Sequence, residues 1–313
     1  MISENEKRKL EERLLFSNSD LYVYAGITKN EFPSLYEEIR KISEREFRIK
    51  DAYDRFDETY KYLVCIAKYE NPEELPLEKT YEIVSFYRYI LCKDAMKEDD
   101  SKDRINFDLS TNKFYDYSFR FKMLLPATLE LGRSVVNHES KMAKKGLEAV
   151  WKGLGALIDY YSIKNKSIEL LYGEVSLQKS RYHAGDIWEE DTLLPIISCF
   201  IKNFGHDDLI TPKKPNASKN QWLLVAKEMG FVGDFSKDSV MLRRLLKSQG
   251  TPPPQLFFHY ANLAEQDGLA MYLPVDNELL NCWEMGLILR IKRIKSDCLN
   301  HFIPKDYNEQ AFL

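Results

Sequence analysis

Apolar runs with alternating polar positions predict several strands along the chain. Five segments are rich in β-branched and aromatic residues and are bounded by polar or turn residues, as strands usually are. These segments are residues 21–27, 60–69, 82–92, 127–136 and 168–177. The turn sequence NPEELP follows the second segment, so we expect the second and third strands to form a hairpin.

A different spacing of apolar residues predicts helices between these strands. Residues 144–161 carry apolar side chains every three or four positions, which gives a helix one buried face. Residues 4–16 have a charged amphipathic pattern, and Thr28 and Asn30 offer N-caps for a helix that runs to about residue 46. This mixture predicts an α+β, or mixed α/β, fold in which helices flank a central, mostly antiparallel sheet.

The same patterns predict the domain organisation. We expect residues 1–313 to form a single domain, with an N-terminal helix in residues 1–18. Residues 186–250 carry apolar residues at helical spacing around a polar, proline-containing stretch, which predicts a helical insertion. Two further apolar segments, 268–276 and 284–293, are expected to close the sheet.

Composition and charge exclude several classes of protein. The chain has 45 Lys and Arg against 49 Asp and Glu, a formal charge of −4, so we expect no nucleic-acid partner. No run approaches the roughly 20 apolar residues that cross a bilayer, and the charged N-terminus lacks the apolar stretch of a signal peptide. We therefore expect a cytoplasmic protein, with transient contact of the amphipathic N-terminus with the inner membrane left open. The five scattered cysteines predict neither disulfides nor a metal site.

The first candidate for chemistry is a charged pair, Glu130 and Arg133, inside the apolar strand 127–136. Because strand side chains alternate, these two should lie on opposite faces unless a bulge near Gly132 intervenes, and glycine within a strand often marks a bulge. The alternative is a solvent-facing glutamate and a structural arginine.

A second candidate combines acidic residues before one strand with an arginine inside another. Asp51, Asp54 and Asp57 recur at three-residue intervals, which suits either a polar substrate-binding loop or ordinary turn and cap chemistry. Arg88 lies between apolar neighbours, so it needs a partner if it is buried. We expect that partner to be an aspartate of this loop or Glu130.

Two further segments have both a functional and a structural interpretation. The basic stretch from Asn137 to Gly146, together with the free amides of a helix start, would suit a phosphate, but it could equally be a solvated basic turn. The aromatic segment 114–121 would line an acyl pocket or pack on the sheet.

Taken in order, several motifs resemble one family. These are DRFD (54–57), YRYIL (87–91), ELGRSVV (130–136), AVWKGLGALI (149–158) and LYGEVSL (171–177). From about residue 20 to 293 the chain resembles GNAT-fold acyltransferases of the ornithine-lipid and glycine-lipid type, often labelled hemolysin-like. More distantly, it is similar to the acyl-homoserine-lactone synthases.

The resemblance implies a GNAT fold, an acyl thioester donor and an amine acceptor. It assigns catalytic roles to Glu130 as base and to Arg133 and Arg88 in holding the aspartate loop and ordering the acceptor. It implies that substrate is bound by Asp54, Asp57, Ser134 and Ser176. It implies that the acyl donor is held by Val135, Val136, Lys144, Lys145 and Gly146.

The resemblance also implies partners. No cofactor is expected to be tightly bound; the co-substrate would be acyl carrier protein, favoured over acyl-CoA, and the acceptor an amino acid such as glycine or ornithine. Acidic carrier protein needs a basic docking surface. The candidates are Lys141, Lys144 and Lys145; Arg243, Arg244 and Lys247; and Arg290, Lys292, Arg293 and Lys295. A CoA-dependent N-acetyltransferase of a small amine and a non-catalytic GNAT-fold interaction protein stay open as alternatives.

Overall fold

The computed structural model describes residues 4–18, 20–68, 81–99, 104–179 and 193–312. The strands in these ranges are β1 (Leu14–Asn18), β2 (Leu21–Ile27), β3 (Lys61–Lys68), β4 (Tyr81–Leu91), β5 (Met96–Asp99), β6 (Arg104–Phe107), β7 (Tyr115–Tyr117), β8 (Thr128–Val136), β9 (Leu170–Gln178), β10 (Ile210–Pro212), β11 (Leu269–Met271), β12 (Val275–Asn277) and β13 (Cys282–Arg290). The α-helices there are α1 (Glu4–Glu12), α2 (Pro33–Phe47), α3 (Phe119–Leu124), α4 (Ala143–Ile158), α5 (Leu193–Phe204), α6 (Lys219–Glu228), α7 (Phe235–Ser248), α8 (Gln255–Leu263) and α9 (Ser296–Phe302).

The chain divides into two compact units. Unit 1 comprises residues 1–97, 129–169 and 296–313, and unit 2 comprises residues 98–128 and 170–295. The single domain expected over 1–313 stays a prediction. No helix in the described ranges is long and apolar enough to span a bilayer.

Unit 1 is built on an antiparallel sheet with strand order β1-β2-β3-β4-β8. One face of this sheet packs on α2, whose Leu35 and Ile39 join a buried cluster with Val64 and Phe86 of the sheet. The other face packs on α4, where Trp151 of α4 contacts Tyr87 of β4 edge to face. The expected β3–β4 hairpin, the mixed α/β class and the mostly antiparallel sheet are confirmed.

Glycines set how closely α4 approaches its neighbours. A Cβ on Gly146 would lie 2.4 Å from Val84 Cγ1, and one on Gly155 would lie 2.2 Å from the Phe302 carbonyl oxygen. These distances are far shorter than van der Waals contact, so a larger residue would push the helix away. Close packing of α4 therefore depends on these two positions.

Gly155→Ala should destabilise the protein by about 3 kcal/mol, at the upper end of typical overpacking costs. The clash is with backbone, which cannot rotate away as a side chain can. Gly153→Ala is the matched control, because its Cβ would meet only side chains, Val23 at 3.1 Å and Leu63 at 3.4 Å, while alanine improves helix propensity. Urea denaturation of both variants measures the difference, and equal midpoints would show that the Phe302 segment yields freely.

Unit 2 contains an antiparallel sheet in which β13 pairs with β9, β11 and β12. Its helices pack through aromatic side chains, with the Phe200 ring 5.1 Å from Phe257 and 5.5 Å from Phe235. Helices α5, α6 and α7 lie within residues 193–250 of the predicted insertion; residues 186–192 fall outside the described part. The segment 114–121 packs on this sheet, since Phe121 contacts Tyr172 edge to face at 5.0 Å.

Several boundaries differ from the sequence expectation. The N-terminal helix ends at Glu12 rather than continuing to residue 16 or 18, because Leu14–Asn18 pairs with β2 as a strand and buries Leu15. The next helix begins at Pro33, not at the proposed caps Thr28 or Asn30; proline fits the first turn because it lacks an N–H. The NPEELP turn lies outside the described residues.

Other differences concern short elements. The proposed loop 211–220 contains the end of β10, which pairs with β7, and the start of α6, which is capped by Ser218. Helix α9 was not predicted. The apolar residues of the N-terminus pack within unit 1: Leu10 belongs to the cluster around α2 and is 6% exposed.

Candidate active site

A β-bulge interrupts β8 at the ELGRS motif. Arg88 of β4 pairs with Gly132, but Phe86, two residues away, pairs with Val135, three residues away. The extra residue falls at Arg133 and Ser134, and Arg133 adopts a left-handed backbone with φ of 49°. A bulge re-aims side chains in this way, and it turns Arg133 toward Asp57. The bulge considered from the sequence is confirmed.

Two arginines and two aspartates form a compact group, which we call the Arg–Asp cluster (Asp54, Asp57, Arg88, Arg133). Arg88 Nη1 lies 2.7 Å from Asp57 Oδ1, and Arg133 Nη1 lies 3.0 Å from Asp57 Oδ2. Asp54 Oδ2 is farther, 3.6 Å from Arg88 Nη1 and 3.7 Å from Arg133 Nη2. The four formal charges cancel, so the arginines are already compensated within the protein.

Asp57 is the centre of this cluster. Its side chain is fully buried and also accepts hydrogen bonds from the hydroxyls of Tyr36 and Tyr62, both at 2.7 Å. Burial by itself raises the pKa of the Asp57 carboxyl, but the charges of Arg133 and Arg88 and these hydrogen bonds outweigh it. The net effect is a pKa below the ordinary aspartate value, so Asp57 is a carboxylate at neutral pH.

The D-x-x-D motif also makes its own turn. Asp54 caps the short helical turn Arg55–Glu58 by accepting from the Phe56 amide at 3.2 Å, and Asp57 accepts from the Asp54 amide at 3.0 Å. The two alternatives for this loop, cap chemistry and pairing with arginines, are therefore both present. The expected pairing of Asp54 and Asp57 with Arg88 and Arg133 is confirmed, whereas binding of substrate by them stays a prediction.

Glu130 lies next to this cluster in β8 and is completely buried. Its Oε2 accepts a hydrogen bond from the hydroxyl of Tyr60. The Arg88 guanidinium carbon lies 4.7 Å from the centre of the Tyr60 ring, so Tyr60 connects Glu130 to the Arg–Asp cluster. The alternative of a solvent-facing glutamate is wrong, because Tyr60 offers a hydrogen bond in the interior.

The end of β8 carries Ser134 and two of the residues expected to hold the acyl donor, Val135 and Val136. Ser134 is partly exposed, and Val135 and Val136 pair with Phe86 and Ser85. The next amide, Asn137 N–H, donates to the Val84 carbonyl at 2.9 Å. Because successive amides point to opposite sides of a strand, the Val136 N–H points away from β4, toward the other edge of β8.

The basic start of α4 follows this strand. Lys144 and Lys145 are exposed, and Lys145 Nζ lies 3.7 Å from Asp20. Gly146 has a structural reason to be glycine, given above, and its carbonyl accepts from the Ser85 hydroxyl at 2.7 Å. Donor binding by Lys144, Lys145 and Gly146 stays a prediction.

Ser176 belongs to unit 2, where it is an exposed residue of β9. Its hydroxyl donates to Glu284 Oε2 at 2.7 Å. Glu284 is buried and also accepts from the Asn277 side-chain amide at 3.0 Å and from the Cys282 thiol at 3.1 Å. Ser176 thus orients a buried carboxylate, and its role with substrate stays a prediction.

Three tyrosines of the site were not found from the sequence: Tyr36, Tyr60 and Tyr62. A signal existed for Tyr62, since the hairpin register pairs it with Arg88 and so places both on one face of the sheet. Tyr36 comes from α2, and its contact with Asp57 depends on tertiary packing. The sequence alone could not have placed it there.

The class of protein follows from the bulged strand and flanking helices together with comparisons with known proteins. Residues 34–152 match the family model described as "Acetyltransferase (GNAT) domain", a range that includes the Arg–Asp cluster and Glu130. The chain therefore carries a GNAT domain, and it is an N-acyltransferase. The GNAT resemblance inferred from the motifs is confirmed.

Two curated relatives narrow the comparison. A glycine N(alpha)-acyltransferase of Phocaeicola vulgatus is 28% identical over 275 residues, covering 81% of this chain and 76% of the relative. A protein of the same name from Bacteroides thetaiotaomicron is 26% identical over 304 residues, covering 90% and 80%. No solved structure is significantly similar to this chain.

Proposed function

We propose that this N-acyltransferase moves a fatty acyl group from a thioester donor to the amine of an amino acid, glycine first and ornithine second. The product would be an N-acyl amino acid, or a lyso-aminolipid with ornithine. The observation that carries the proposal is the buried carboxylate of Glu130, which lies three residues before Arg133 of the bulge in β8. The names of the relatives support glycine as the acceptor.

The reaction forms an N–C bond at the thioester carbonyl and breaks the C–S bond; the carrier leaves as a thiolate and takes up the proton that the amine has lost. The attacking amine must lose a proton, and we assign Glu130 as its acceptor. Glu130 has no exposed surface, so we assign the transfer to a bridging water rather than to direct contact with the amine. The Val136 N–H would stabilise the oxyanion as the tetrahedral intermediate forms.

The Arg–Asp cluster supports this chemistry from outside the reacting atoms. Arg133 lies in the bulge and Arg88 in the neighbouring strand, and Asp57 binds both. We propose that the cluster fixes the bulge and hence the direction of the Val136 amide. Because its charges cancel internally, we do not assign either arginine to the acceptor carboxylate.

Acyl carrier protein is our proposed donor, ahead of acyl-CoA. Of the basic surfaces suggested by the sequence, the one near Arg293 is neutralised, since Arg293 lies 2.6 Å from Asp267 and 2.9 Å from Glu265. The first turn of α4, in contrast, contains no acidic residue and exposes Lys144 and Lys145, although Lys145 has a long ion pair with Asp20 at 3.7 Å. We propose this turn as the docking surface, with Lys144, Lys145 and Gly146 near the phosphate. Since Leu10 and Leu15 are buried, we propose that any contact with the inner membrane is transient and follows from the amphiphilic product.

The test uses purified protein with palmitoyl-carrier protein or palmitoyl-CoA and single amino acids, followed by mass spectrometry of the products. We expect N-palmitoylglycine as the main product and a kcat/KM at least about tenfold higher with the carrier protein, since charge complementarity raises association rates by that much or more. Activity with acetyl-CoA and none with the palmitoyl donors would support the alternative of a CoA-dependent N-acetyltransferase instead. No amide product with any donor would contradict the proposal.

A further inference from the structure

Tyr60 lies at the junction between Glu130 and the Arg–Asp cluster. It is fully buried, its hydroxyl donates to Glu130 Oε2, and its ring faces the Arg88 guanidinium at 4.7 Å. It comes from the turn before β3, whereas Glu130 comes from β8 and Arg88 from β4 between them. One side chain thus connects the candidate base to the charged cluster.

The chemistry of these contacts favours one protonation state of Glu130. A hydroxyl that donates to a carboxylate stabilises the ionised form, because a protonated carboxyl accepts a weaker hydrogen bond. A cation over the face of a phenol ring draws electron density from it and so makes its O–H a better donor. Asp57 fixes that cation, with Arg88 Nη1 at 2.7 Å.

We propose that Tyr60 is a positioning residue that holds the Glu130 carboxylate in one orientation and in its ionised, proton-accepting form. The inference rests on the proposed function, because it matters only if Glu130 accepts the proton of the amine. It adds to that function a route by which Arg88 and Asp57 act on the base without touching substrate.

The test is Tyr60→Phe, which removes the hydroxyl and keeps the ring. We expect the acidic limb of the kcat/KM profile against pH to move up by about one to two units, which is the loss of one hydrogen bond to a charged group expressed in pH. At pH values above the limb the variant should recover most of its activity. The titration of the amine substrate is the same for every variant and does not contribute to the difference.

Tyr89→Phe is the matched control. Tyr89 is another fully buried tyrosine of this sheet, but its hydroxyl accepts from the Gly26 amide, at 3.2 Å, on the face that packs on α4. Its loss should cost comparable stability and leave the limb in place. A limb that moves equally in both variants, or in neither, would overturn the inference.

Glu130→Gln separates this failure from that of the proposed function. If Glu130→Gln lowers the rate by about 10²-fold or more and Tyr60→Phe keeps the wild-type limb, Glu130 is still the base and only the role of Tyr60 is wrong. If Glu130→Gln keeps full activity, the base assignment fails and the Tyr60 inference fails with it. In the expected case, Tyr60→Phe added to Glu130→Gln has no further effect on the pH profile.

Discussion

Glu130→Gln should lower the rate of amide formation by about 10²- to 10⁴-fold, the usual contribution of a general base. Glutamine has nearly the same volume, and its carbonyl oxygen can still accept the hydroxyl of Tyr60. The substitution therefore removes basicity while the buried packing stays close to that of the wild type. Initial rates with saturating donor and glycine, measured beside circular dichroism and a thermal melt, check this result.

The control for this experiment is Glu6→Gln in α1. Glu6 is also buried, at 5% exposure, and its Oε1 accepts from the Ser34 amide at 2.8 Å, so it reports the cost of a buried Glu-to-Gln change away from β8. It should keep wild-type rates. If Glu130→Gln were as active as Glu6→Gln, Glu130 would be a structural residue and the proton would leave by another route.

The strands of unit 1 could be predicted because each is long and has a clear pattern. β3 and β4 lie in the middle of the sheet of unit 1 and β8 follows β4, and the apolar residues of these three strands dominate any alternative structure. β1 and α9 could not be predicted, since each is short and takes its structure from its neighbours: β1 pairs with β2, and α9 contacts α4, which is distant in the chain. The local pattern of Leu14–Asn18 is typical of the end of a helix, but in the fold this segment pairs with β2 as a strand.

Part of the site could also be predicted, for a physical reason. An arginine inside an apolar strand is costly without a partner, so Arg88 required a nearby acid, and Asp57 supplies it. The bulge was suggested by Gly132, but the left-handed conformation belongs to Arg133, the next residue. The sequence could indicate that the strand is interrupted, while the register with β4 decides where.

Neutral side chains were harder to predict than charged ones. Tyr36 and Tyr60 resemble ordinary core residues, since tyrosine packs well in the interior and gives no sign of its hydrogen-bond partner. Their functional contacts appear only when three distant segments meet at Asp57 and Glu130. The resemblance to the acyltransferases identified the charged residues of the site and missed the tyrosines that connect them.

Asp57→Asn should cause the largest loss of stability among substitutions in the Arg–Asp cluster, about 3–5 kcal/mol. The carboxylate is fully buried between Arg88 and Arg133, and removing its charge leaves the more distant Asp54 as the carboxylate of the Arg–Asp cluster that faces the two cations. Asparagine also replaces one of the two acceptor oxygens by an N–H donor, which in either orientation faces one tyrosine hydroxyl and one guanidinium. Urea denaturation at pH 7 gives the free energy of unfolding.

Asp54→Asn is the matched control. Asp54 is 11% exposed and lies 3.6–3.7 Å from the arginines, and asparagine can still cap the turn through its carbonyl oxygen. Its loss should be about 1 kcal/mol, in the range of partly exposed ion pairs. Equal losses for the two variants would show that the cluster shares its charge evenly rather than depending on Asp57.

The pH dependence of the loss of stability in Asp57→Asn shows whether Asp57 stabilises the folded protein through its negative charge. The pKa of Asp57 is lower in the folded protein than in the unfolded chain, where aspartate titrates near about 3.9, so the unfolded state binds more protons in this range. The stabilisation by Asp57 is therefore complete above about pH 5 and declines as pH falls through the unfolded value toward the folded one. The stability difference between wild type and Asp57→Asn should shrink in acid, because a protonated Asp57 resembles asparagine in charge. A difference that stays constant down to about pH 3 would mean that packing, and not charge, explains the loss.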